Sequence, residues 1–335
     1  MGAQLHRIVD ARRRYKALLI ERSSHVMNFR HNLKSTLEHV ALWSGVPLAM
    51  RWQRRDDVLV LAYHDIVPHG ERASGDLSLH LPQAQFAEQL DALVRTHDVI
   101  PLESALARRA GRRPAVAITF DDAYQGAVTA GVSELARRGL PATIFVATAY
   151  VNGGDFWWDA LSAPGAEGPA PALRARALGE CAGEDAVIRA MAQRERLAIA
   201  TSPPSFARGA SERELTSAAH ERGITLGSHT HSHPNLARLA SDALRNELEQ
   251  SLAWLRERFA DVLPMLSYPY GLSSPEVERA AASAGYIAGF RIDGGSLPRG
   301  KRSPLALPRL DVPSGVSAAG FALRCAGVRV RWSVR

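Results

Sequence analysis

Ala115-Val-Ala-Ile-Thr-Phe-Asp-Asp-Ala-Tyr124 decides how the chain is read, because six strand-forming residues run directly into two adjacent carboxylates. A short apolar run of this kind fits a strand covered on both faces. The pattern recurs along the sequence. Val58-Leu-Val-Leu-Ala62 is another such run and ends at Tyr63-His64-Asp65. Asp98-Val-Ile-Pro-Leu102, Ala142-Thr-Ile-Phe-Val-Ala147, Ile224-Thr-Leu226, Met265-Leu-Ser-Tyr268 and Tyr286-Ile-Ala-Gly-Phe290 read as further strands.

Helical patterns fall between them, at about Gln83–His97, Ala127–Arg138, Asp242–Phe259 and Pro275–Ala284. Strands alternating with helices predict a parallel α/β architecture, either a barrel or a doubly wound sheet. In both, functional residues collect at the carboxyl ends of the strands. His64, Asp121, Asp122, His229 and Tyr270 all stand just after strand runs, which predicts one shared site. Residues 153–215 break the rhythm, and their Ala, Gly, Glu, Arg and Pro content predicts a helical insertion laid over that face. Within it, Phe156-Trp157-Trp158-Asp159 reads first as a packing anchor, with a sugar-stacking surface as the alternative.

Composition sets the bounds. With 335 residues the chain is long enough for a large core, and 46% hydrophobic with 22% charged residues excludes a disordered chain. Only Cys181 and Cys325 occur, without zinc-type spacing, so any metal falls to His and Asp. No run approaches the roughly 18 apolar residues of a membrane span. Ala17-Leu-Leu-Ile20 is cut off by Glu21-Arg22, below the length of a signal core, so a cytoplasmic protein is expected.

Positive charge is uneven. Residues 1–55 hold eleven Lys or Arg against three Asp or Glu, a net of +8, while the whole chain is +7. The excess therefore belongs to a basic, mostly helical extension over residues 1–56, with Leu5, Ile8, Val9 and Leu18–Ile20 as its apolar positions. A solvated helix or an anionic membrane surface fits it. Nucleic acid does not, because the body is not basic and no aromatic reading platform accompanies the charge.

Leu226-Gly-Ser-His-Thr-His-Ser-His-Pro234 supplies the second half of the chemistry. His229 and His233 are four apart, so a helix starting here would turn both toward one metal and His231 away. Pro234 would suit the first turn of such a helix. Asp121 and Asp122 diverge as neighbours, so one can ligate while the other faces the water. Zinc with three protein ligands keeps a position open for water and lowers its pKa to about 7. A nearby carboxylate then serves as base.

These stretches carry a resemblance. Thr119-Phe-Asp-Asp-Ala-Tyr124, Gly227-Ser-His-Thr-His-Ser-His-Pro-Asn-Leu236 and Tyr268-Pro-Tyr-Gly271 resemble three signature motifs of the polysaccharide deacetylases, carbohydrate esterase family 4. Pro141-Ala-Thr-Ile-Phe-Val146, Trp157-Trp158-Asp159 and Leu307-Pro-Arg-Leu310 are similar to other elements of its bacterial members, and the likeness covers roughly residues 57–315. It implies a distorted parallel barrel of about seven strands and a divalent metal, usually zinc. Carried over by position, Asp122, His229 and His233 are the ligands, Asp121 is the base, and the Tyr270 backbone N–H helps hold the oxyanion. Trp158, Tyr268, Pro269 and Arg309 are expected to border the substrate.

Two departures matter. Many members carry a late acid histidine, yet no histidine follows Arg309 here. Leu61-Ala-Tyr-His64 looks instead like the circularly permuted exopolysaccharide-type members, making His64 the expected acid, with Asp65, Asp293 or Asp311 to orient it. The glycine common after the two aspartates is Ala123, a mild change, and Arg309 is the candidate to orient Asp121. The resemblance implies removal of N-acetyl groups from amino sugars of a polysaccharide or precursor. The alternatives are a deformylase or deacetylase acting on a lipid-linked sugar at the inner membrane face, and a non-catalytic glycan-binding module.

Overall fold

A computed structural model describes residues 36–38, 40–107, 111, 113–200, 202–297 and 303–328. The apolar positions expected for the basic extension, from Leu5 to Ile20, lie outside them. The chain divides into two compact units, one formed by Met1–Met50 with Ala319–Arg335 and the other by Arg51–Ala318. In the first, residues 319–325 complete a helix that begins at Ala318 and buries Ala319, Phe321, Leu323 and Cys325. No helix among the described residues is long and apolar enough to cross a membrane.

The second unit is the expected α/β body. Its strands are β1 (Val58–Tyr63), β2 (Asp65–Val67), β3 (His80–Pro82), β4 (Asp98–Val99), β5 (Ala115–Phe120), β6 (Ala142–Val146), β7 (Ile224–Ser228), β8 (Val262–Ser267), β9 (Ala288–Phe290) and β10 (Leu310–Asp311). The main sheet runs β10-β1-β5-β6-β7-β8-β9, with β4 added beside β5, and every ladder in it is parallel. β1 and β5 are buried at all six positions, as their unbroken apolar runs require. The sheet curls into a distorted β/α barrel. Leu307 bridges Phe290 at one edge, and Leu310 and Asp311 pair with Leu61 and Ala62 at the other. The segment 307–311 thereby closes the ring.

Alternate strand residues fill the barrel. Val58, Val60, Ala115, Ala117, Phe145, Met265, Phe290 and Leu307 form one buried cluster, and truncating a ring such as Phe290 there would cost about 3–5 kcal/mol. The helix Gln83–Thr96 turns Phe86, Leu90 and Leu93 inward, the face its spacing predicts. Cys181 and Cys325 are both buried.

Several boundaries differ from expectation. Only Asp98 and Val99 pair as a strand, because Pro101 has no N–H for a ladder and Leu102 already begins the helix Leu102–Ala107. The helix expected from Ala127 opens with a π-helical turn, Ala127–Gly131, before the α-helix Val132–Arg138. Within residues 153–215 lie the helices Trp157–Ala160, Pro171–Gly179, Asp185–Arg194 and Glu212–Ala219.

Candidate metal and catalytic site

Register brings the strand ends together. Tyr63 pairs with Phe120, so His64 and Asp121 leave neighbouring strands side by side. The Asp121 N–H donates to Tyr63 O at 2.9 Å, and the His229 N–H donates to Val146 O at 2.9 Å. Asp122, His229 and His233 converge from β5 and the loop after β7. Their ligating atoms all lie within 4.8 Å of one another, and all three residues are buried.

The convergence of the histidines comes from a loop, not a helix. Residues 229–235 contain no helical turn, and Thr230 (φ 67°) and His233 (φ 59°) take left-handed backbone instead. Pro234 therefore starts no helix; the next is the 3-10 turn Leu236–Arg238. Glu247, on the helix Ser241–Arg258, fixes this loop. Its Oε2 accepts the N–H groups of His231 and Ser232 at 3.0 and 2.8 Å. His231 turns away, with Nδ1 2.9 Å from Thr148 Oγ1, as expected of a bystander.

The three converging groups fit a cation. His229 Nδ1 lies 2.8 Å from Ser267 O and must donate there, which leaves Nε2 with a free lone pair. Its Nε2 is 3.1 Å from His233 Nε2, and both face Asp122 Oδ1 at 3.4 and 3.3 Å. Asp122 Oδ1 is buried without a hydrogen-bond partner. Burial, opposed by Asp121, pushes His229 down to about 4. Burial and then His229 hold His233 well below the usual imidazole value, so both rings are neutral, the form that ligates. Burial, then Asp121 and Asp159, push the Asp122 carboxyl well above the carboxylate range. A cation at these atoms removes that penalty. Divalent first-row ions suit such an Asp-His-His set.

Asp121 sits beside this set but serves Arg309. The guanidinium donates to Asp121 Oδ1 at 2.7 Å and Oδ2 at 2.6 Å, and further to Thr119 Oγ1 and Ser267 Oγ at 3.0 and 2.7 Å. Burial alone would raise the Asp121 carboxyl, but Arg309 outweighs it and holds the group well below the usual range. Arg309 thus fills the orienting role and not the substrate-bordering one; it is 0% exposed. Its place follows from the closing segment 307–311, which threads it between β9 and β1.

A cavity of about 310 Å³ opens above the site, lined among others by His64, Asp121, Asp122, Trp158, Tyr270 and Asp311, enough for a sugar-sized group. Tyr268 and Pro269 do not line it. Tyr268 is fully buried and donates its hydroxyl to Leu305 O at 2.8 Å, while Pro269 is packed behind the turn. Tyr270 does face the cavity, held at φ 58° with its ring 4.6 Å from the His233 ring. Trp158 is both anchor and wall: it is 3% exposed and its ring lies 4.8 Å from that of His233. Of the acids considered for His64, Asp65 is engaged by His80 at 2.8 Å and Asp293 by Arg291 at 2.8 Å. Asp311 shares the cavity with His64.

Ala123 corrects a further expectation. Its φ is 56° and that of Asp122 is 68°, so an alanine occupies backbone that favours glycine. The replacement is a strained one, not a mild one.

Comparison with known proteins agrees with this geometry. The family model described as polysaccharide deacetylase matches residues 108–289. Bacillus subtilis (strain 168) YxkH, provisionally named a polysaccharide deacetylase, is 24% identical over 270 residues, covering 78% of this chain and 74% of its own. Among solved structures, IcaB from Ammonifex degensii superposes with a TM-score of 0.56 at 16% identity, over 82% of this chain and 97% of its own. The Streptococcus pyogenes deacetylase PplD, in complex with acetate, gives 0.54 at 16% identity, over 79% and 96%. These two likenesses concern the fold.

Proposed function

The chain belongs to the polysaccharide deacetylase family, and from that premise we propose that it hydrolyses N-acetyl groups of amino sugars in a glycan. The observation that carries this reading is the placement of Asp121, held by Arg309, beside the converging Asp122, His229 and His233 in one cavity with His64. A divalent ion on that triad, zinc by our reading, would act as a Lewis acid toward the acetyl carbonyl. Asp121 takes the proton of the attacking water. Arg309 keeps that carboxylate ionised and fixed, while each oxygen retains a second lone pair for the incoming proton. The Tyr270 N–H helps hold the oxyanion. His64, at the end of the neighbouring strand β1, protonates the departing amine, and the amide C–N bond breaks to give acetate and a free amino sugar.

His64 at the front of the barrel, with Trp158 on the wall, supports an exopolysaccharide-type substrate and the permuted motif order. The test is acetate release from N-acetylated oligosaccharides by zinc-reconstituted and chelator-treated protein. Release that requires the metal supports the reading; no release from any N-acetylated glycan by metal-loaded protein sinks it and favours a glycan-binding role.

A second reading, action on a lipid-linked sugar at the inner membrane face, is supported by Trp52 and Arg55. Trp52 is 71% exposed, and Arg55 lies over its ring at 5.1 Å. An exposed indole beside an arginine suits an anionic lipid surface. Flotation with vesicles of mixed anionic and zwitterionic lipid should capture the full chain, and less of it at high salt; no capture removes this reading.

A further inference from the structure

Among the described residues, His80 and His97 are buried imidazoles that the chemistry above does not use. His80, at the head of β3, is 1% exposed, with Nδ1 2.8 Å from Asp65 Oδ2 and Nε2 2.9 Å from Asp159 Oδ1. An ionised carboxylate only accepts, so each contact needs an N–H from the ring. Burial raises the Asp65 carboxyl against its bond with His80; with both carboxylates ionised, His80 is doubly protonated and bridges them. Burial would lower its pKa, but the bonds to Asp159 and Asp65 prevail and raise it to about 10.

The bridge reaches both sides of the cavity. Asp65 directly follows His64 and opens β2, which pairs with β3 through Asp65 and His80 themselves. Asp159 accepts at Oδ2 from the Tyr124 hydroxyl at 2.7 Å, and that hydroxyl accepts from Trp158 Nε1 at 2.8 Å. Asp159 Oδ1 also accepts the Asp76 N–H at 2.8 Å. The backbone makes room for the two carboxylates. A Cβ on Gly75 would lie 2.4 Å from Asp159 Oδ1, and one on Gly126 would lie 2.4 Å from Asp65 Oδ1.

A buried ion triad is a weak source of stability, since apolar side chains of equal volume usually do as well. What it supplies is fixed geometry. We propose that His80 is a positioning residue: through Asp65 it sets the backbone that presents His64, and through Asp159 and Tyr124 it sets Trp158 against His233. The use of His64 as acid rests on the deacetylase reading; the placement of His64 and Trp158 about the ligands does not.

The test uses the full chain loaded with Co2+, whose paramagnetism reports distance and angle from the metal. The Trp158 indole N–H and His64 ring resonances are followed in wild type, His80→Gln and Tyr124→Phe, together with Co2+ stoichiometry and the ¹⁵N shifts of the His80 ring. Both His80 nitrogens should be protonated at neutral pH. His80→Gln should move both sets of resonances at unchanged stoichiometry, and Tyr124→Phe should move the Trp158 signal alone. Should His80→Gln not fold, Tyr124→Phe and the ¹⁵N shifts decide. A neutral His80 ring, or metal-shifted resonances that stay in place in the variants, overturns the proposal. Where wild type releases acetate, His80→Gln should lower kcat/KM about 100-fold, as a small misplacement does. A wild type that binds Co2+, shows protonated His80 and releases no acetate refutes the deacetylase reading and leaves the positioning role standing.

Discussion

Two clusters of buried imidazole and carboxylate stand side by side in this barrel, and they are built oppositely. In Asp65–His80–Asp159 both ring nitrogens face carboxylate oxygens at 2.8 and 2.9 Å. In Asp122–His229–His233 the two Nε2 atoms face each other at 3.1 Å, and Asp122 Oδ1 has no hydrogen-bond partner. In the first, the ring bridges the two carboxylates, although Asp65 Oδ1, like Asp122 Oδ1, has no partner. In the second, two neutral rings and a buried carboxylate converge on one point, an arrangement a cation satisfies. What separates them is which atoms converge: ring nitrogens on carboxylates in one, ring nitrogens on each other in the other.

The largest expected effect tests the open cluster. His229→Ala or His233→Ala should strip the metal and with it all acetate release, read by elemental analysis; metal content equal to wild type would remove these residues as ligands. Arg309→Ala comes next. It leaves the fully buried Asp121 without its counter-charge, and chemical denaturation should show a loss of about 3–5 kcal/mol. A loss under about 1 kcal/mol would mean that water reaches Asp121.

The closed cluster is sharpened by pH. His80 has its pKa raised from the ordinary value of 6.5 to about 10 in the folded state. The folded state therefore binds the proton more tightly, and the resulting stability is fully present below pH 6.5 and is lost as pH rises through about 10. Thermal melts of His80→Gln should lack this decline between pH 6.5 and 10; a decline as large as in wild type would assign it elsewhere. The smallest effect lies between the clusters. Ala123→Gly should relieve the left-handed strain at φ 56° and stabilise the chain by about 1 kcal/mol; a destabilised variant would show that the Ala123 methyl packs usefully.

Much of this was legible in the sequence, for a physical reason. Runs such as Val58–Ala62 and Ala115–Phe120 must be buried on both faces, so they report strands of a parallel sheet, and the residues after them share one rim. That placed Asp121, Asp122, His64 and His229 together. Backbone shape was not legible. The spacing of His229 and His233 suggests a helix, yet a loop with positive φ at Thr230 and His233 achieves the convergence, because Glu247 holds the intervening amides from a helix whose pattern gives no hint of it. Tyr268 and Arg309 sit in motif-like stretches, but which way a side chain points depends on strand register. His80 lay in a polar loop with no marking pattern; its role comes from partners 15 and 79 residues away.

The central claim is that Asp122, His229 and His233 hold the metal while Asp121 moves the proton. Metal content and acetate release measured together on Asp121→Asn test it most directly. The account predicts about one divalent ion per chain, as in wild type, with turnover lowered about 100- to 10,000-fold, the range for losing a general base. Turnover near wild type with the metal in place would contradict it.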